Sequence, residues 1–334
     1  MSEMWKALIG LPDQLRWAAD LSLPQVRQAP SALVIGMGGS GISGDFAAQV
    51  AAEAGRLCAV HKGYGLPGWA PALRPLVVAV SYSGNTEETL SGARHAAELG
   101  LPGVVVAGGG RLSEMAAEWG WEWLAVPGGL QPRAAAGYLT GAVLRAMEGA
   151  GMVPAQRAGL AEAASVLDEL LGPDQAGPAV SLADDLADAL AGRVVVVYGS
   201  LGPAAVAAQR WKTQINENAK APAYWSVLPE LDHNEIEGWG SGVGSTGRWF
   251  GIVLLRDSGE HPRLPRRFEL TQEVIAPRAP VVGEVWGQGE GMVSRMFSLT
   301  LVGDLVSVRL AELAGTDPYP VEAIERLKRR LEEG

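Results

Sequence analysis

The run Pro75-Leu76-Val77-Val78-Ala79-Val80, followed at once by Ser81-Tyr82-Ser83-Gly84-Asn85-Thr86-Glu87-Glu88-Thr89, decides how the chain folds. Its first half is short, wholly apolar and begins at a proline, the pattern of a strand buried on both faces. From Glu87 to Leu99 the alanine-rich apolar spacing predicts a helix. A strand, a hydroxyl-rich loop and a helix start in direct succession form the repeating unit of a parallel α/β sheet. The loop also suggests chemistry. Free backbone N–H groups and the positive end of a helix converge there, and Ser81, Ser83 and Thr86 add hydroxyl donors, so an anion such as phosphate is the expected guest. Thr86 has a plainer role open to it, that of helix N-cap, with Glu87 and Glu88 in the first turn. That role accounts for one hydroxyl and leaves Ser81, Ser83 and Gly84 unexplained.

Working outward, the same plan recurs upstream. Ser31 to Ile35 reads as a strand that runs into Gly36-Met37-Gly38-Gly39-Ser40-Gly41-Ile42-Ser43-Gly44 and then a helix through about Ala54. Strands are expected at Leu57 to Lys62, Leu101 to Ala107 and Trp121 to Val126, and helices at Leu112 to Trp119 and Arg133 to Glu148. Five strands with interleaved helices predict a doubly wound parallel sheet whose ligand edge lies at the carboxyl ends of the strands. Gly36, Gly38 and Gly41 have dinucleotide-fingerprint spacing in the right context, after a strand and before a helix. Such a site needs a ribose-binding acid at the end of the second strand, where this chain has His61-Lys62-Gly63. No nicotinamide or other cofactor is therefore expected. The glycines instead serve close backbone approach, with Gly39 and Ser40 facing the Ser81 loop across one phosphate pocket.

Residues 149 to 192 hold two helical segments, Ala155 to Leu171 and Pro178 to Ala191, with no strong strand between them. The domain link is expected here, dividing the chain into residues 1–152 and 153–334. The plan then restarts with strand Arg193 to Tyr198, loop Gly199-Ser200-Leu201-Gly202-Pro203 and helix Ala204 to Ala219. Strands Ala223 to Val227, Arg248 to Leu255 and Pro280 to Trp286 complete a second α/β unit, an architectural repeat without duplicated sequence. Helices from Gly291 to Ala314 and Pro320 to Glu332 close the chain, the last charged, amphipathic and expected to lie across the body. A helix around Gln14 to Leu21 leads in.

Composition narrows the function classes. The 334 residues, 48% hydrophobic and 19% charged, suit two globular units. No apolar run is long enough for a membrane span, and the first residues lack a signal-peptide plan, so a cytoplasmic protein without a membrane partner is expected. The single Cys58 cannot form an internal disulfide, in keeping with a reducing compartment. A net charge of −10 argues against a nucleic-acid partner. His61, His95, His233 and His261 are scattered or too tightly spaced with acids for a metal site, so none is expected.

Further candidates come from residue types. Glu217, in Gln214-Ile215-Asn216-Glu217-Asn218-Ala219-Lys220, is a carboxylate that could move a proton between adjacent carbons. A solvated helix end paired with Lys220 is the plainer alternative. Arg133 follows a glycine-rich loop at a helix start, where its guanidinium could stabilise a developing oxyanion or merely lie on the surface. His233, in Asp232-His233-Asn234-Glu235, is a polar-loop imidazole, and Lys328 stands in a basic last helical turn that also complements the helix dipole.

The Gly-Gly-Ser loop, the Ser81-to-Thr86 loop, Asn216-Glu217-Asn218 and Leu231-Asp232-His233-Asn234-Glu235 together resemble the sugar isomerase (SIS) family, and more narrowly its bifunctional phosphoglucose/phosphomannose isomerases. The likeness runs from residue 31 to the C-terminal helix. It implies two SIS-type αβα sandwich domains and an aldose–ketose isomerase acting on hexose 6-phosphates without metal. Glucose 6-phosphate is the first implied substrate and mannose 6-phosphate the second. It implies Glu217 as the base, Arg133 as the enediolate stabiliser, and His233 with Lys328 as ring-opening groups. Gly39, Ser40, Ser81, Ser83 and Thr86 become phosphate ligands. It also implies a homodimer sharing sites across the interface, and a small residue near the sugar C2 for which Thr316 and Val321 are the candidates. The alternative is a non-catalytic SIS sensor of sugar phosphates.

Overall fold

The computed structural model describes residues 2–242 and 244–333. Among these residues nine strands form two parallel sheets. The first contains β1 (Ser31–Ile35), β2 (Leu57–His61), β3 (Leu76–Ser81), β4 (Gly103–Ala107) and β5 (Glu122–Ala125) in the order β2-β1-β3-β4-β5. The second contains β6 (Val194–Ser200), β7 (Ala223–Leu228), β8 (Phe250–Arg256) and β9 (Val281–Trp286) in the order β7-β6-β8-β9. Helices connect the strands, giving the doubly wound α/β architecture that the alternating pattern predicts.

Strict alternation along the strands explains the layering. On β1, β3 and β4 the residues Ala32, Val34, Val78, Val80, Val104 and Val106 enter one core, whereas Leu33, Ile35, Val77, Ala79 and Val105 enter another beneath the helices Glu87–Glu98 and Gly110–Trp119. Val195 and Val197 of β6 join the first of these cores from the opposite side. The long helix Met292–Leu313 supplies Phe297, Leu301, Leu305 and Val308 to it. Each sheet thus turns one face toward a shared apolar layer of helices. Near the carboxyl ends of the strands that layer carries a buried polar cluster.

Three expectations change. The helix read as starting at Arg133 begins at Ala136, and Pro132–Ala134 is a 3-10 turn. The carbonyl of Arg133 accepts a hydrogen bond from Arg210 of another helix instead of continuing the local ladder. The helix Leu264–Ile275, which buries Leu264, Phe268 and Ile275, has no counterpart among the expected elements. The last helix, Glu322–Glu332, does not lie across the body: Ile324, Leu327 and Leu331 of its apolar stripe are all exposed. Among the described residues no helix is long and apolar enough to cross a membrane.

Gly84 shows how tightly the hydroxyl loop is set. Its φ is +70°, and a Cβ there would stand 1.8 Å from the carbonyl oxygen of Gly109. Left-handed strain and overpacking both act on Gly84→Ala, for an expected destabilisation of roughly 2–5 kcal/mol. A urea midpoint matching wild type would show that the loop has room to yield.

Candidate active site

Two N-terminal loops meet because β1 and β3 are direct neighbours, with Ala32 opposite Leu76 and Ile35 opposite Ala79. In this strand order the crossovers diverge between β1 and β3, the position where open α/β sheets bind ligands. Gly41 lets the first loop turn tightly, since a Cβ would lie 2.6 Å from the oxygen of Gly36. The buried Ser40 hydroxyl accepts from the Tyr82 N–H at 3.1 Å, tying the loops together. Ser81 and Thr86 share a hydroxyl–hydroxyl bond of 2.9 Å, and Ser83 Oγ accepts from the Asn85 N–H at 3.2 Å. Thr86 holds the N-cap position, but its side chain makes no capping bond to the helix. The helix Gly38–Glu53 likewise lacks a side-chain cap. First-turn N–H groups of two helices are therefore left uncapped by side chains within one loop cluster, the arrangement that accepts an oxyanion. Gly39, Ser40, Ser81, Ser83 and Thr86 all belong to that cluster.

The same cluster reaches Arg133. Tyr82 donates its hydroxyl to the Pro127 carbonyl at 2.9 Å and accepts from the Leu130 N–H at 3.0 Å, fixing the approach to the 3-10 turn. Gly39 packs so closely that a Cβ would meet the Arg133 backbone at 3.2 Å. Arg133 is only 3% exposed and its donors are almost all assigned. Nε donates to Asn218 Oδ1 at 2.7 Å, and Nη2 donates to the carbonyls of Pro318 and Tyr319, each at 2.8 Å. The segment containing Thr316 and Val321 is thereby drawn to the site. Nη1 lies 3.5 Å from the carboxylate of Glu217, longer than the 2.7–2.9 Å usual for a direct charge-assisted bond. Burial pushes the Arg133 guanidinium below its ordinary value, and the Glu217 charge works in the opposite direction.

Glu217 owes its place to an irregular helix end. The helix Pro203–Gln214 widens into a single π-helical turn, Ile215–Ala219, and stops at Lys220 in the left-handed region. Such turns shift side chains out of helical register and are frequent at functional sites. The plainer reading of Glu217 as partner to Lys220 does not hold. The Lys220 ammonium donates to the backbone oxygens of Glu217 and Pro320, and the Glu217 carboxylate faces Arg133 instead.

Sequence reasoning missed the supports beneath this pair. The buried Arg210 donates from Nε to Asp304 Oδ1 at 3.0 Å and from Nη2 to Asp304 Oδ2 at 2.7 Å. The same Nη2 donates to the Arg133 carbonyl at 2.8 Å. Gln214 Nε2 adds a bond of 2.9 Å to Asp304. Burial pushes the Asp304 carboxyl upward, and the Arg210 charge opposes that shift. A single charge inside an apolar helix was the available signal, in Asp304 standing between Leu301 and Leu305.

His233 and Lys328 are both exposed and, among the described residues, are not hydrogen-bonded to this cluster. His233 ends the 3-10 turn Glu230–His233 after edge strand β7 and is exposed, and no hydrogen bond among the described residues joins it to Glu217 or Arg133. Its neighbours are firmly held. Asp232 accepts from Arg267 and Thr271, and Glu235 accepts from the Tyr198 hydroxyl. Lys328 lies on the exposed helix Glu322–Glu332. Cys58 is half-buried, and burial followed by the nearby Asp45 charge pushes its thiol up to about 12, leaving an unreactive group.

Two parallel sheets of this kind, with hydroxyl loops at the β1/β3 switch point and an acid–guanidinium pair beside them, form an arrangement suited to a small anionic ligand. Residues 179–331 match the family described as the bacterial phospho-glucose isomerase C-terminal SIS domain. A bifunctional phosphoglucose/phosphomannose isomerase of Caldicellulosiruptor bescii is 35% identical over 99% of both chains, and one of Aquifex aeolicus is equally similar over the same shares. Among solved structures, the C-terminal domain of glucosamine-fructose-6-phosphate aminotransferase from Francisella tularensis superposes with a TM-score of 0.71 at 14% identity, covering 96% of this chain and 98% of that one. That likeness concerns the fold alone. The chain belongs to the bifunctional phosphoglucose/phosphomannose isomerase family.

Proposed function

We propose that this protein interconverts glucose 6-phosphate and fructose 6-phosphate, and mannose 6-phosphate and fructose 6-phosphate, by proton transfer through an enediol. The observation that carries the reading is the 3.5 Å approach of the Glu217 carboxylate to the buried Arg133 guanidinium, beside the hydroxyl loops. Isomerisation needs a base that removes the proton from C2 of the aldose and returns it to C1, while a hydroxyl proton passes between O1 and O2. Glu217 takes the carbon-bound proton. Arg133 stabilises the negative charge that develops on oxygen in the enediolate. Ser40, Ser81, Ser83 and Thr86, with the Gly39 backbone, hold the phosphate so that C1 and C2 reach Glu217. His233 and Lys328 open the sugar ring by moving the O5 and O1 protons. These roles fall to both halves of the chain, residues 1–152 supplying the phosphate loops and Arg133, and residues 153–334 supplying Glu217, His233 and Lys328. The enzyme is cytoplasmic. A sensor reading has nothing specific in its favour, since holding a phosphate does not call for a carboxylate held against a buried cation.

The test is a coupled assay for fructose 6-phosphate formed from each hexose 6-phosphate in the presence of EDTA. Turnover of both sugars is expected. No turnover of either would overturn the reading.

The exposure of His233, which makes no hydrogen bond to Glu217 or Arg133 among the described residues, supports a homodimer in which each His233 serves the partner's site. Mixing inactive Glu217→Gln with inactive His233→Ala subunits should then restore part of the activity. Verified hybrid dimers without recovery would place His233 in its own subunit's site.

A further inference from the structure

The buried Asn218 is linked to both groups that the proposed reaction uses. It follows Glu217 on the π-helical turn, it is fully buried, and its Oδ1 accepts from Arg133 Nε at 2.7 Å. Its amide orientation is itself set, because Nδ2 donates to Ser307 Oγ at 2.9 Å. The Ser307 hydroxyl in turn donates to the Asp304 carbonyl at 2.6 Å, one turn earlier on the same helix. Asp304 closes the ring through Arg210, which donates to the Arg133 carbonyl at 2.8 Å. One helical turn, Asp304 to Ser307, therefore grips Arg133 twice, by its backbone through Arg210 and by its guanidinium through Asn218.

We infer that Asn218 is a positioning residue for isomerisation, which holds the Arg133 guanidinium with Nη1 turned toward Glu217. The assignment rests on the function proposed above. A guanidinium is planar, so fixing Nε by Asn218 and Nη2 by the carbonyls of Pro318 and Tyr319 fixes the direction of Nη1. Asn suits the task better than a carboxylate. It offers an acceptor of the right shape yet leaves the positive charge of Arg133 uncompensated except by Glu217 and the reacting oxygen. It acts without touching the substrate, so its removal should lower kcat and leave KM nearly unchanged.

The experiment is a double-mutant cycle on kcat for glucose 6-phosphate, with the thermal midpoint of every variant recorded. Asn218→Ala alone should lower kcat about 10- to 100-fold, as expected for a misdirected catalytic group, with KM within about threefold. In the Arg133→Ala background the same substitution should lower kcat by less than about twofold, because no guanidinium remains to orient. If Arg133→Ala does not fold, Arg133→Lys replaces it in the cycle; it keeps a cation but has no Nε–H for Asn218 to hold. An unchanged kcat in Asn218→Ala would overturn the inference, as would an equal drop in both backgrounds, the mark of a merely structural role. A wild-type enzyme inert toward hexose 6-phosphates would overturn the proposed function and this assignment together, whereas additivity in an active enzyme would remove this assignment alone.

Discussion

Glu217→Gln is expected to lower the turnover of glucose 6-phosphate by roughly three orders of magnitude or more, within the range lost when a general base is removed. The substitution changes the size of the side chain very little, so the π-helical turn and the Asn218 ring remain in place. What disappears is the group proposed to accept the proton from carbon, which an amide cannot replace at neutral pH. In the proposed function, phosphate binding falls to Gly39, Ser40 and the Ser81-to-Thr86 loop, which are tied together after β1 and β3, and not to Glu217. The dissociation constant for the sugar phosphate, measured by titration calorimetry, should therefore stay within a few-fold of wild type. Near-normal turnover in the Gln variant would remove Glu217 from the chemistry.

The second large effect is on stability. Arg210 and Asp304 are 2% and 1% exposed and carry two hydrogen bonds between them. Asp304→Ala leaves the Arg210 cation buried without its partner, and removing one member of such a pair costs about 3–5 kcal/mol. Replacing both by apolar residues of similar volume, as in Arg210→Met with Asp304→Leu, should recover most of that loss. Activity should not recover with it, because Arg210→Met removes the donor to the Arg133 carbonyl. Urea midpoints of the single and double variants, read beside their kcat values, check both halves. A loss below about 1 kcal/mol in Asp304→Ala would show that the pair contributes little to holding the fold.

Much of this architecture was legible because it rests on local patterns. Each strand of both sheets announces itself as a short apolar run next to glycine or proline, and the expected ends of β1 to β9 differ from the observed ones by a residue or two. The hydroxyl loop was legible for the same reason, since a strand, three hydroxyls and a helix start are adjacent in sequence. Helix Leu264–Ile275 also left a readable signal, Leu264, Phe268 and Ile275 at helical spacing, diluted by the surrounding arginines and acids. Long-range features behaved differently. Nothing near Arg133 indicates that its carbonyl is reserved for Arg210, 77 residues away, and this contact goes with a 3-10 turn where a regular helix was expected. The π-helical turn at Glu217 has no sequence signature, and neither does the choice of Arg133 over Lys220 as the neighbour of its carboxylate. Amphipathicity in Glu322–Glu332 reveals an apolar stripe but not whether the stripe meets the body, and here it does not.

Proton exchange at carbon tests the central claim most directly. Glucose 6-phosphate is incubated with the enzyme in D2O, and the recovered sugars are examined by proton NMR. The wild type should place deuterium at C2 of glucose 6-phosphate and at C1 of fructose 6-phosphate, because Glu217 trades its proton with solvent while the enediol is bound. Glu217→Gln should place none. Exchange at the wild-type rate in Glu217→Gln would contradict proton transfer by Glu217.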